Sequence, residues 1–226
     1  MLSAFGAKLE RVGNEITISP AESLHAPEKI FVPGDISSAA YWIVLATILD
    51  GSDVTIQNVG VNETRTGIID VLNEMGATIE LVNERTSGGE KFADVHVVSS
   101  RLYGVEFGGK MIPRLIDEIP ALAVAAAFAL GTTVIRDVGE LRVKESDRLA
   151  AIVDEFNKIS PDSFSATDDT LTICGGREKF FADCNTRADH RMAMSLAIFG
   201  AAADGVTLDD ETCVDISYPN FFEELN

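Results

Sequence analysis

The chain has 226 residues, 46% of them hydrophobic and 7% aromatic, which is enough apolar content for one large domain with its own core. Its formal net charge of −18 argues against nucleic acid and anionic membranes as partners, since both need clustered Lys and Arg. Cys174, Cys184 and Cys213 fit no metal-ligand spacing, so reduced thiols and no metal site are expected. The apolar runs at 39–49 and 119–130 are too short to span a bilayer. The opening MLSAFGAKLERV carries no signal-type cleavage site, and the expected location is the cytoplasm.

In chain order, residues 2–5 read as the end of a helix stopped by Gly6. An alternating Ile16-Thr17-Ile18 follows, and Pro20 and Pro27 separate this opening from the rest. Residues 2–10 (LSAFGAKLE) closely match residues 72–80 (LNEMGATIE). The chain is therefore expected to begin near the end of a unit whose earlier part lies upstream.

The remainder repeats. DISSAAYWIVLATILDG at 35–51 aligns without a gap to DHRMAMSLAIFGAAADG at 189–205, and LIDEIPALAVAAAFALG at 115–131 is a third copy. Each copy ends in Gly, as a helix C-cap would, and is followed by a short β-type run: Val54-Thr55-Ile56, Thr133-Val134-Ile135 and Val206-Thr207-Leu208. Second helices are expected at 67–75, 146–156 and 218–225, with strands such as 77–82 and 95–98 between units. The first helix of each unit is apolar nearly all round and must be buried, whereas the second is amphipathic. The predicted architecture is α/β, with central apolar helices surrounded by amphipathic helices and sheets.

Charged residues cluster at matching places in the units. Asp117 precedes a very apolar helix with Pro120 in its first turn. It could be an N-cap, as Asp35 is expected to be with Ser37 and Ser38, or a carboxylate whose pKa is raised at the edge of an apolar core and so suited to base work. ELRVKESDR at 140–148 lies at a strand-to-helix junction. If its first turn is helical, Lys144 and Arg148 share a face and repel, which an anion there would relieve. By spacing alone a solvated ion-pair network with Glu145 and Asp147 fits equally well. Asp189-His190-Arg191 opens the third central helix, where Arg191 could bind an oxyanion bidentately and His190 could simply cap. Quasi-symmetry places Asp117, Lys144, Glu145, Arg148, His190 and Arg191 on one face.

GDISSAAY (34–41), LIDEIPALAVAAAFALGTT (115–133), ELRVKESDRL (140–149), DHRMAMSLAI (189–198) and SYPNFF (217–222) together resemble the EPSP synthase family, the 3-phosphoshikimate 1-carboxyvinyltransferases. The resemblance runs over essentially the whole chain. It implies an inside-out α/β barrel lobe of three repeated βαβαββ-type units, with central buried helices and outer sheets. Residues 1–28 would be the remnant of an N-terminal lobe and its linker, and 29–226 the C-terminal lobe. The implied reaction joins phosphoenolpyruvate to shikimate 3-phosphate and releases inorganic phosphate, through a tetrahedral intermediate and without metal or cofactor. By position, Asp117 would accept the proton of the 5-hydroxyl, Glu145 would exchange a proton with the methylene carbon, and Lys144 would lie near the shikimate and enolpyruvyl groups. Arg148 and Arg191 would grip phosphoenolpyruvate, with His190 beside them.

Two departures follow from the resemblance. Many members carry a phosphate-binding lysine just before the Ser/Thr-aromatic-Pro motif, where this chain has Ile216 preceded by Asp215. The N-terminal lobe, which would hold most of the shikimate phosphate, is the missing partner, so this chain alone is expected to be inactive. The alternative is a non-catalytic anion-binding module built on the same lobe. The related enolpyruvyl transferase of cell-wall synthesis fits the KESDR and DHRMAM stretches less well.

Overall fold

The computed structural model describes residues 1–226. A 3₁₀ turn over Leu2–Phe5 ends on Gly6 at φ 89° and leads into an antiparallel hairpin, β1 (Lys8–Val12) and β2 (Glu15–Ser19). The first full unit contains α1 (Ile36–Ile48), β3 (Asp53–Gly60), α2 (Gly67–Glu74), β4 (Thr78–Ser87) and β5 (Glu90–Val98). The second contains β6 (Glu106–Phe107), α3 (Ile119–Phe128), β7 (Thr132–Ile135), α4 (Arg148–Ile159), β8 (Phe164–Ala166) and β9 (Leu171–Cys174). The third contains β10 (Ala182–Cys184), α5 (His190–Ala201), β11 (Val206–Leu208) and α6 (Phe221–Leu225).

One connection recurs. The segment entering each central helix pairs in parallel with the strand leaving it: Gly34 forms a single bridge to Val59, β6 pairs β7, and β10 pairs β11. These are βαβ crossovers that lay α1, α3 and α5 against the inner faces of the sheets. The first two sheets then add an antiparallel pair, giving β3-β5-β4 and β6-β7-β9-β8. The three central helices pack on one another, and every residue of α3 from Ile119 to Ala127 is buried. A helix apolar all round has no face to give to water, so it takes the middle. No helix is long and apolar enough to cross a membrane.

The expected boundaries shift in places. Gly51, Gly131 and Gly205 adopt φ of 82°, 93° and 107°, but each lies beyond the end of its helix, in the turn into the next strand, and not at the cap. The strands expected at 77–82 and 95–98 extend into a longer hairpin, β4 and β5. Helix α4 starts at Arg148 instead of Ser146, because the Asp147 carboxylate accepts from the Ala150 N–H at 2.9 Å and fixes the N-cap there. Helix α6 likewise starts three residues later than the expected Tyr218.

Candidate active site

The starts of the central helices meet. Asp35 caps α1, its carboxylate accepting from the Ser37 N–H at 3.1 Å, and Asp189 caps α5, accepting from the Arg191 N–H at 2.9 Å. Asp117 does not cap α3; it sits in the 3₁₀ turn Ile116–Glu118 before that helix, where no side-chain cap forms. Its carboxylate is thereby free to face inward between the units.

Three cations surround that carboxylate. Lys144 Nζ lies 3.5 Å and Arg148 Nη1 3.3 Å from Asp117 Oδ1, and Arg191 Nη2 lies 3.6 Å from Oδ2. The route to this cluster differs from the helical spacing considered for Lys144 and Arg148. Lys144 has extended backbone at the end of the 3₁₀ turn Gly139–Val143, and only Arg148 is helical. The two cations therefore do not repel across a helix face; they approach one carboxylate from two directions. Lys144 is also held by Glu140 at 2.9 Å.

Arg148 is the deepest of the three, with a side chain that is 0% exposed. Its Nε donates to Asp189 Oδ2 at 2.8 Å and its Nη2 to Oδ1 at 3.3 Å, a two-pronged pair, while Nη2 also donates to Glu145. Asp189 is equally buried and accepts a further bond from the Ser146 hydroxyl at 3.0 Å. Asp189 was singled out by sequence only as the residue opening a helix. Its alignment with the capping Asp35 hid a second task, which is to pair the buried guanidinium.

Burial would raise the Asp117 pKa, but Arg191, Lys144 and Arg148 outweigh it and hold the carboxyl below the usual carboxylate range. This reverses the expectation of a raised value. The raised carboxyl is its neighbour Glu118, which is buried so deeply that desolvation prevails over a hydrogen bond from Ser37 Oγ and over Arg191 and Arg65. Arg65 Nη2 stands 3.7 Å from Glu118 and donates to Ser37 Oγ at 2.8 Å. Neither Glu118 nor Arg65 was expected at the site; the available signal was the second carboxylate of the Asp117-Glu118 pair.

His190 lines a small polar cavity of about 40 Å³ with Ser37, Ser38, Tyr41, Arg191 and Ser217. Burial, reinforced by Arg191, pushes its imidazole below the ordinary value, so it is neutral at neutral pH. The expected residues Asp117, Lys144, Glu145, Arg148, His190 and Arg191 thus form one neighbourhood. Ile216 is 84% exposed and offers no charge to it.

The family model for EPSP synthase (3-phosphoshikimate 1-carboxyvinyltransferase) matches residues 1–225. The 3-phosphoshikimate 1-carboxyvinyltransferase of a Thermoanaerobacter species is 52% identical over 227 residues, covering 100% of this chain and 53% of that protein. The one from a Synechocystis species is 51% identical over 228 residues, covering 100% of this chain and 51% of its own. EPSP synthase from Acinetobacter baumannii superposes with a TM-score of 0.92 at 40% identity, over 98% of this chain and 52% of that one. The enolpyruvyl transferase NikO from Streptomyces tendae shares the fold at a TM-score of 0.75 and 21% identity. The chain spans about half the length of the curated relatives it matches. With the inside-out α/β architecture and the family model covering almost every residue, the chain belongs to the EPSP synthase family.

Proposed function

We propose that this chain supplies half of an active site that transfers the enolpyruvyl group of phosphoenolpyruvate to the 5-hydroxyl of shikimate 3-phosphate. The observation that carries the reading is Asp117 held among Lys144, Arg148 and Arg191. Residues 1–28 then belong to a preceding lobe and linker, and residues 29–226 to the C-terminal lobe. The hairpin β1-β2, a separate sheet with every residue exposed, supports that division.

In this reading Arg191, which keeps some surface, grips phosphoenolpyruvate together with Arg148, and Lys144 lies near the shikimate and enolpyruvyl groups. Arg148 lies beneath them and gains a free N–H for the substrate when the half-exposed Glu145 swings aside. The 5-hydroxyl oxygen attacks C2 of phosphoenolpyruvate and its proton passes to Asp117. Glu145 gives a proton to the C3 methylene, which becomes a methyl group. In the second step the methyl returns a proton to Glu145, the C3–C2 double bond re-forms, and the C2–O bond to phosphate breaks, the departing phosphate taking the proton that Asp117 held. An ionised Asp117 is the correct form for its task. Substrate anions also draw the cations' field away from it, which moves its pKa back toward that of a working base. His190, neutral and adjacent to Arg191, can donate one hydrogen bond without adding charge.

The charge balance favours a half-site over a free-standing anion-binding module. Arg65, Lys144, Arg148 and Arg191 face Asp117, Glu118, Glu140, Glu145 and Asp189, so the cations are already committed to carboxylates. A ligand with two phosphates needs more positive charge than this face offers, which a basic second lobe would add. Closure of two lobes would also exclude water.

The test combines this chain with a separately prepared N-terminal lobe and follows phosphate release. Turnover is expected only when both lobes are present, and Asp117→Asn or Glu145→Gln should lower kcat by about 10²–10⁴-fold. Steady phosphate release by the chain alone, or full activity of the Asp117→Asn pair, would overturn the reading.

A further inference from the structure

Helix α4 holds the third unit at two points along one face. Arg148 opens the helix, and Glu155 lies seven residues on, about two turns along the same side. Arg148 pairs with Asp189. Glu155 is 1% exposed, and the proposed reaction gives it no task. Both of its oxygens are taken by the segment that leads to Asp189. Oε2 accepts from the Asn185 N–H at 2.9 Å, and Oε1 accepts from Arg187 Nη2 at 2.8 Å and Nε at 3.2 Å. Lys158 Nζ, one turn further along α4, stands 2.5 Å from Oε2. Burial would raise the Glu155 pKa, but these bonds outweigh it and hold the carboxyl below the usual carboxylate range.

The segment has to be held. Arg187 and Ala188 adopt φ of 58° and 52°, in the left-handed region. The other non-glycine residues with positive φ are Asn58, Asn83, Asp137 and Asp162, whose short polar side chains tolerate it, and no two of them are adjacent. Arg and Ala have no such tolerance, so two in succession persist only where the surroundings over-determine them. They turn the chain between the end of β10 at Cys184 and the α5 cap at Asp189, whose N–H donates to the Thr186 carbonyl at 3.0 Å. The Asp189 carboxylate then accepts from Arg148 Nε at 2.8 Å, the Ser146 hydroxyl at 3.0 Å and the Arg191 N–H at 2.9 Å. A shift in the turn is therefore a shift in the counter-charge of Arg148 and in the start of the helix that carries Arg191.

We infer that Glu155 is a positioning residue for the reaction proposed above: it fixes the left-handed turn at Arg187 and Ala188, and the turn fixes Asp189 beside Arg148 and Arg191. Its kinetic consequence rests on the enolpyruvyl-transfer reading, and its structural consequence on this chain alone. Arg148 and Arg191 grip phosphoenolpyruvate in that reading, so a loosened turn weakens the binding of phosphoenolpyruvate more than that of shikimate 3-phosphate.

Glu155→Gln keeps the shape of the side chain and removes its charge and one acceptor oxygen. In the two-lobe assembly it is expected to raise KM for phosphoenolpyruvate by about 10-fold, with kcat and KM for shikimate 3-phosphate within about 3-fold of wild type. Adding Ala188→Gly, at an exposed position, supplies no new contact but accepts positive φ freely, and should return that KM to within about 3-fold of wild type. In the 226-residue chain alone, hydrogen exchange at the Arg148 Nε–H reads the same event. Glu155→Gln should speed it by about 10-fold or more and Ala188→Gly should slow it again, while main-chain N–H groups of α3 change far less. If Glu155→Gln fails to fold, Arg187→Ala at an exposed position removes the two Arg187 bonds and should move both readouts in the same directions. An Arg148 Nε–H rate that these variants leave unchanged, or that Ala188→Gly fails to restore, overturns the inference. Equal acceleration in α3 would show a loss of overall stability only, and overturns it too. An unchanged KM for phosphoenolpyruvate in an active assembly removes Glu155 from the reaction. Absence of turnover by the wild-type assembly overturns the reaction itself, and the exchange rates still decide whether Glu155 fixes the turn.

Discussion

Arg148 has no exposed surface, and its guanidinium donates to Asp189, Asp117 and Glu145. Replacing Asp189 by Asn would keep the shape of the α5 cap but leave the buried cation short of its fully enclosed counter-charge. Breaking one side of such a pair costs about 3–5 kcal/mol, more than the roughly 1 kcal/mol of a lost cap alone. Urea denaturation of Asp189→Asn beside Asp35→Asn, the same change at a cap with no buried cation, separates the two contributions; equal losses would show that the Arg148 pair contributes nothing beyond the cap. The adjacent carboxyls Asp117 and Glu118 illustrate how far a local reading extends. Their order in the sequence marks both as acids before an apolar helix. Which one is stabilised as an anion depends on Lys144, Arg148 and Arg191, which come from a later junction and from another unit. Because the folded Glu118 pKa is raised, its penalty is absent below the ordinary Glu value of about 4.3 and grows as pH rises through the folded value. The stability difference between Glu118→Gln and wild type should therefore move in favour of Gln as pH rises through that window. Urea midpoints over a pH series measure this, and a flat difference would refute it.

At the scale of elements, the central helices were legible because their signal is redundant: an all-apolar pattern, repeated at fixed length, ending in a Gly and a β-type run. β1 was not legible, since Lys8, Glu10 and Arg11 leave KLERV with little apolar alternation. The start of α4 was misplaced by two residues because Ser146 and Asp147 both suit an N-cap, and only the structure shows the Asp147 bond to the Ala150 N–H. Gly200 gives an element-level prediction. It lies inside α5, where Ala is normally better than Gly by about 1 kcal/mol. A Cβ there would meet Val206 Cγ1 at 2.4 Å and the Val206 main-chain N at 2.9 Å, so β11 would have to move away from the helix. Overpacking of that kind costs about 1–3 kcal/mol, and the contact should prevail over propensity. Gly200→Ala is expected to lower the thermal midpoint, and an unchanged or raised midpoint would mean that β11 yields freely.

For the molecule as a whole, two effects of acid oppose each other. Hydrogen bonds hold Glu90, Asp94 and Asp209 below the usual carboxylate range. At Asp117, Glu155 and Asp189, burial acts to raise the pKa, and bonds and cations overcome it. Among the shifted carboxyls Glu118 alone runs the other way. On falling pH the unfolded chain takes up protons at the ordinary carboxylate values, near 4, before these six groups do in the fold. The unfolded state then binds more protons, so the stability these groups confer, complete above that range, is lost as pH falls through their depressed folded values. Against this, protonation relieves the self-repulsion of a chain with a net charge of −18. Repulsion between exposed charges is already screened over about 8 Å at physiological ionic strength, whereas the Arg148–Asp189 pair has no exposed surface and is screened much less. The site-specific losses should therefore dominate once salt is present. At an ionic strength near 0.15 M the urea midpoint is expected to fall from about pH 5 to about pH 3. In low salt at neutral pH, where repulsion is least screened, added salt should raise it. A midpoint that holds or climbs into acid at the higher ionic strength would mean that repulsion governs the fold, and that the paired carboxylates contribute little to it.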